Sequence, residues 1–242
     1  EFFLTSARTV TVTGVSLTAG SGHVVQRNSF YQTTGTLASY TGINIGAGSG
    51  HTVSGNNIGG SDNTAGGAAM SLSGSVYGIS LSVGTAAASS VQGNLVRNLA
   101  NASTSSVTHG LSITGGLVNV GTTTGNTIGD ATPALGLSAK STLYGIYFLS
   151  STAGHAATVQ NNTVRNLANS TGTASGTSSY GLFISSTAKS TVQSNVVQDL
   201  SVAAAVPNAT LFGMRIAGAG AHDVLGNTVT GITSASVPAS NN

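Results

Sequence analysis

The segment 77–99 reads YGISLSVGTAAASSVQGNLVRNL, and the segment 180–200 reads YGLFISSTAKSTVQSNVVQDL. Each opens on an aromatic residue, a glycine and two apolar residues separated by one: Tyr77-Gly78-Ile79-Ser80-Leu81 and Tyr180-Gly181-Leu182-Phe183-Ile184. Each then runs through a valine to an asparagine followed, two positions on, by another valine: Val91-Gln92-Gly93-Asn94-Leu95-Val96 and Val192-Gln193-Ser194-Asn195-Val196-Val197. Apolar residues alternate with small or polar ones, which is the period of a strand and not of a helix. β-branched residues dominate these runs, as strands prefer.

Both units recur along the chain. The glycine unit returns as Thr41-Gly42-Ile43, His109-Gly110-Leu111, Tyr144-Gly145-Ile146 and Phe212-Gly213-Met214, with glycine spacings of 36, 32, 35, 36 and 32 from Gly42 to Gly213. The asparagine unit returns at Asn28, Asn56, Asn126, Asn162 and Asn227, so that seven asparagines and six glycines mark about seven windings. Gly42 to Gly145, Gly78 to Gly181 and Gly110 to Gly213 are each 103 residues apart, the trace of a three-winding unit duplicated once.

One such winding cannot bury its apolar face alone. Stacked windings share a continuous core, and each strand pairs with the winding above and below. Seven windings at about 4.8 Å each give a rod of roughly 30–35 Å. An asparagine row suits a bend, because the amide both donates and accepts along the stack and tolerates left-handed backbone. The glycine row marks crowded backbone or positive φ. The Ser/Thr/Ala/Asn-rich segments 98–108 and 166–179 read as longer exposed turns on one flank. The expected architecture is all-β, a solenoid over 1–233 with a polar, proline-containing tail over 234–242.

These residues resemble the right-handed parallel β-helix superfold, the single-stranded, pectate-lyase-like kind in which three-sided coils carry an asparagine ladder at one turn. The run Asn-Thr-Val-x-Asn-Leu-x-Asn is similar to repeats of very large secreted surface proteins of Bacteroidota. Right-handedness is what the resemblance implies; the residues alone leave a left-handed helix open. The superfold hosts lyases, hydrolases, tailspikes, adhesins and ice-binders, so it does not choose among functions.

Composition narrows the choice. Only 5% of residues are charged, and the seven Lys/Arg are scattered without a basic stripe, which argues against nucleic acid as a partner. The chain has no Cys, which removes disulfides and thiolate metal sites. No apolar run reaches about 18 residues, so no membrane-inserted helix is expected. Glu1 to Leu4 shows no basic region leading into a long apolar core, so an exported chain would be represented here by its mature form or a fragment.

Glycan cleavage on such folds uses clustered carboxylates. Glu1, Asp62, Asp130, Asp199 and Asp223 never fall two to a segment. His23, His51 and His222 stand five residues before their asparagines and His155 stands seven before Asn162; they are read as polar turn residues, with a divalent metal as the alternative. His109 fills the aromatic slot before Gly110. Tyr40, Tyr77, Tyr144 and Tyr180 are read as an aromatic ladder closing one corner, with sugar stacking as the alternative. No Ser has a His and an Asp at motif spacing.

The reading that follows is a non-enzymatic structural or adhesive module, without cofactor or metal, of a secreted or cell-surface protein. Its expected partners are other copies of itself or flanking repeats of a longer array, stacked into a filament, and surface glycans. The alternatives are an ice-binding solenoid, for which Thr9/Thr11/Thr13 and Thr122/Thr123/Thr124 speak, and a glycan-binding or glycan-degrading β-helix.

Overall fold

The computed structural model describes residues 2–4, 8–170, 177–203 and 209–234. It is a parallel β-solenoid of about seven turns. All strand pairs are parallel and link one winding to the next, as in Val76–Leu81 beside Thr108–Ile113 beside Leu143–Ser150. One 3-10 turn, Pro133–Leu135, is the sole helical element among the described residues.

Each winding runs through a glycine strand, a short strand before the ladder asparagine, and a strand after it. The pre-asparagine strands make a seven-stranded sheet from Val24–Gln26 to Asp223–Leu225. The register stacks like on like: Val25, Val53, Val91, Val120, Val159, Val192 and Val224 form one column. The first six of these valines are buried and Val224, in the last described winding, is 46% exposed. Ile43, Ile79, Leu111, Ile146 and Leu182 form a second inward column on the glycine strands. Full burial of each such side chain stabilises by about 1.5–3 kcal/mol, which offsets the chain entropy that a glycine-rich sequence loses on ordering.

The glycine row lies inside this core. A methyl group on Gly78, Gly110, Gly145 or Gly181 would run into the next glycine's carbonyl oxygen and into Val96, Ile128, Val164 or Val197, the residue two past each ladder asparagine. None of these glycines has positive φ, so crowding is the reason for the residue type. The row has a seventh member, Gly14, paired beside Gly42 and packed on Phe30. Its unit, Thr13-Gly14-Val15-Ser16-Leu17, has the same pattern as Thr41-Gly42-Ile43-Asn44-Ile45.

The expectation for the flank needs correction. Leu99–Asn101 is a strand, paired with Met70–Leu72 and Leu137–Ala139, with Leu99 and Asn101 buried. Leu167 to Asn169 continue that sheet, so the expected turn is confined in the first segment to residues 102–107, and in the second residues 171–176 lie outside the described residues. The kink that turns the chain into this strand is a left-handed residue four past the ladder asparagine, Asn98, Asn166, Asp199 and Gly231; Gly60 holds the same place but is followed by a turn that reaches the strand at Met70. Beyond Ser234 the expected polar tail lies outside the described residues.

Candidate functional site

Asn28, Asn56, Asn94, Asn126, Asn162, Asn195 and Asn227 form one continuous ladder. Each Nδ2 donates to Oδ1 of the next asparagine at 2.8–3.0 Å. Each backbone N–H donates to the same oxygen at 2.9–3.1 Å. From Asn56 onward, Nδ2 also donates to a valine carbonyl of the preceding winding, such as Val91 for Asn126. The amide therefore ties three windings together. The left-handed residue at this corner is not the asparagine but the one before it: Arg27, Gly55, Gly93, Asn161, Ser194 and Gly226 have φ of 54–62°.

The ladder has a direction. At Asn28 the oxygen accepts from no described residue; at Asn227 the backbone N–H donates to none. One end of the stack presents an acceptor and the other a donor.

The histidines lie in a second polar column beside the first. His23, His51, Ser89, Val118, Ala157, Ser190 and His222 share one register, so the column is polar toward its two ends and apolar at Val118 and Ala157. His23 N–H donates to His51 Nδ1 at 3.2 Å, His51 N–H to Ser89 Oγ at 3.2 Å, and Ser190 N–H to His222 Nδ1 at 3.2 Å. His51 Nε2 lies 2.9 Å from Ala47 O and His222 Nε2 lies 3.0 Å from Ala217 O. A ring that accepts at Nδ1 and donates at Nε2 is neutral and has no lone pair left for a metal ion. His23 and His51 do stack, with centroids 5.3 Å apart. Among the described residues no three His, Cys, Asp or Glu side chains converge on one point.

His155 differs from these. Its Nδ1 accepts from Gly116 N–H at 2.9 Å and lies 3.1 Å from Ser150 Oγ. This Ser–His contact was not legible in the sequence, because Ser150 carries no motif. Ser150 is 6% exposed, and its oxygen also accepts from Thr152 N–H. A nucleophile needs an open approach and a base free to take its proton; here both atoms are occupied in closing a turn.

The carboxylates are dispersed. Asp62 is the hub of its own turn, accepting from the Thr64 hydroxyl and the Gly66 and Thr64 N–H groups, and these bonds hold its pKa below the usual carboxylate range. Asp130 is paired with Arg97; burial opposes its ionisation, but Thr132 N–H and Arg97 outweigh that and lower its pKa. Asp223 pairs with Lys189 at 2.8 Å, on the surface. No acid faces a second acid in these contacts.

An aromatic row runs along the outside of the glycine strands. Tyr77, His109, Tyr144, Tyr180 and Phe212 stack with centroids 4.8–5.2 Å apart and planes within 6° of parallel. Tyr147 and Phe183 form a shorter parallel row, edge-on to the first, and the Arg215 guanidinium lies 5.6 Å from the rings of Phe183 and Phe212. His109 is locked in this pile, and burial pushes its pKa down to about 4. Burial likewise pushes Tyr144 up to about 12. Tyr40 is not a member. It stands in register with Val76, one residue out of step with Tyr77, and a one-residue offset sends a strand side chain to the opposite face. Tyr40 is accordingly in the core, 3% exposed.

The threonines proposed for ice do not form an array. Thr13 is followed in register by Thr41 and then by Tyr77, and Thr122, Thr123 and Thr124 lie in a bend, off any strand. A surface depression of about 270 Å³ lies over Gln26, Arg27, Ser54, Gln92 and Thr124. Gln92 is spent within it: Oε1 accepts from Thr123 and Thr124, and Nε2 donates to Asn119 O.

No protein-family model, curated protein or solved structure matches the chain.

Proposed function

We propose that this chain is a non-catalytic structural module of an extracellular or cell-surface protein, which stacks end on end with like windings into a filament and presents its flank for adhesion. The observation that carries the reading is the complementarity of the two ends of the stack. Among the described residues, Thr210–Ala217, Asp223–Leu225 and Thr228–Ser234 pair on one side only. Val224, Leu225, Val229 and Ile232 are 37–53% exposed there, although their counterparts in register are buried or half-buried, inner or outer as the column dictates. Open strand edges with apolar side chains are templates for another strand. The directional ladder adds that donors of one end match the acceptor of the other, a head-to-tail contact that propagates and does not close.

The repeat's likeness to those of large secreted Bacteroidota surface proteins supports the cellular setting. The geometry favours this reading over ice binding, since the outward rows are mixed, and over glycan cleavage, since no acid pair is assembled. Sedimentation velocity over a thousandfold range of concentration tests it. Growth into rods lengthening by whole multiples of the monomer is expected, abolished by Val224→Lys with Val229→Lys. A monomer at every concentration, with the chain folded, refutes self-stacking.

A further inference from the structure

The aromatic row is a poor platform along most of its length. Sugars stack on ring faces, yet in His109, Tyr144 and Tyr180 both faces are covered by neighbouring rings. Only ring edges look outward. The row is interrupted at one place. On the far side of Tyr77 from His109, the register position is held by Thr41, and beyond it by Thr13. Among the described residues no ring stacks on that side of Tyr77. Windings are about 4.8 Å apart, close to the thickness of one ring. The position at Thr41 is therefore a step, one ring deep, at which Tyr77 offers a face where every inner member of the row offers an edge.

The neighbouring outward column is polar here. Ser16, Asn44 and Ser80 are in register, with Asn44 Nδ2 3.4 Å from Ser16 Oγ. Two windings further on, Tyr147 takes this position and packs edge-on against His109. Thr13, Ser16, Thr41, Asn44, Tyr77 and Ser80 carry no charge. An aromatic face bordered by uncharged donors and acceptors suits a ring with one apolar C–H face and a rim of hydroxyls.

We propose that the Tyr77 step binds a neutral pyranose, stacked in the place that an aromatic side chain at Thr41 would fill, with its hydroxyls on Thr13, Ser16 and Asn44. The site gives the adhesive reading above a ligand class, and rests on that reading only for its biological use. Stacking of copies is measured by sedimentation, so either proposal can fail alone.

Saturation-transfer NMR with cellohexaose, xylohexaose and laminarihexaose tests the site. At least one should show saturable transfer. Thr41→Phe fills the step, and it should fold because rings occupy this column in five other windings. Thr41→Phe and Tyr77→Ser should each weaken binding about tenfold, the loss of one stacking contact. Phe212→Leu, at the other end of the row, should leave it unchanged. No transfer from any of the three sugars overturns the proposal. So does transfer that survives both Thr41→Phe and Tyr77→Ser in variants whose circular dichroism and melting match the parent.

Discussion

Asn126 gives its side-chain N–H to Asn162 Oδ1 at 2.8 Å and its backbone N–H to the same oxygen at 3.0 Å. Its own oxygen takes the equivalent pair from Asn94, and its second amide hydrogen goes to Val91 O. Asn126→Ala would strand the Asn94 backbone N–H and one of its amide N–H groups away from water, since Asn126 is 1% exposed, while the Val91 carbonyl keeps the Gly121 N–H. Each buried polar group left unmet costs about 1–3 kcal/mol, so a loss of about 3–5 kcal/mol is expected. Asn227→Ala, at the half-exposed end of the same ladder, should cost about 1 kcal/mol because water replaces the amide. Urea midpoints of the two variants measure the difference; equal losses would show that the ladder is not buried in solution.

The two kinds of glycine predict different penalties. At Gly181 an added methyl group would overlap Val197 Cγ1 and Gly213 O, both inside the core. At Gly226 the nearest atom is Ser194 Oγ, 3.9 Å away, and the sole obstacle is a φ of 58°. Gly226→Ala should therefore lose about 1 kcal/mol, the cost of a left-handed alanine. Gly181→Ala should lose about 3 kcal/mol or more, because the backbone must move to relieve the overlap. Thermal melts rank the pair, and the reverse order would mean that the glycine row is not packed against the post-asparagine strands.

The asparagine and glycine rows were legible because each repeats one residue type at one place in every winding. Gly14 escaped because its spacing of 28 to Gly42 falls short of the 32–36 that separate the other glycines; the Thr13 before it, matching Thr41, and the Val15-Ser16-Leu17 that follows were signal enough. Tyr40 misled for the opposite reason. Its chemical likeness to Tyr77 outweighed its position, two residues before the glycine instead of one. In the column of His23, His51, Ser89 and His222 the three histidines repeat at one offset from their asparagines and were legible; Ser89 differs in type, and only the His51 N–H that its hydroxyl meets reveals it. The short strand Leu99–Asn101 was hidden in a Ser/Thr/Asn-rich stretch where two buried residues make the strand. Function is less legible than fold because backbone pairing and core filling use nearly every recurring side chain.

Acid should weaken the fold through His109. Its folded pKa is pushed down to about 4 by burial, whereas an unfolded histidine titrates near 6.5, roughly 2.5 units higher. Between those values the unfolded chain binds the extra proton, so stability falls as pH drops through 6.5 toward 4 and is unaffected by this group above 6.5. The whole loss is about 3 kcal/mol, at 1.36 kcal/mol per unit. His109→Phe keeps a ring between Tyr77 and Tyr144 and should flatten that part of the pH–stability curve. A slope between pH 4 and 6.5 unchanged in the variant would assign it to other groups.

Tyr40 carries a hydroxyl into the core, where it is buried and meets no hydrogen-bond partner among the described residues. The oxygen lies beside Gly42, whose added methyl group would stand 3.2 Å from it. A desolvated hydroxyl without a partner costs about 1–3 kcal/mol, while the ring itself is well buried. Tyr40→Phe removes the first and keeps the second, so it should raise stability by about 1 kcal/mol near neutral pH. The alkaline side gives an independent reading. Burial pushes the Tyr40 phenol up, so above about pH 10, where an unfolded tyrosine ionises, the folded chain retains a proton that the unfolded chain releases. Stability then falls as pH rises through that region, and Tyr40→Phe should remove this part of the fall. A destabilised phenylalanine variant with an unchanged alkaline slope would place the Tyr40 side chain outside the core, and with it the register that pairs Tyr40 with Val76.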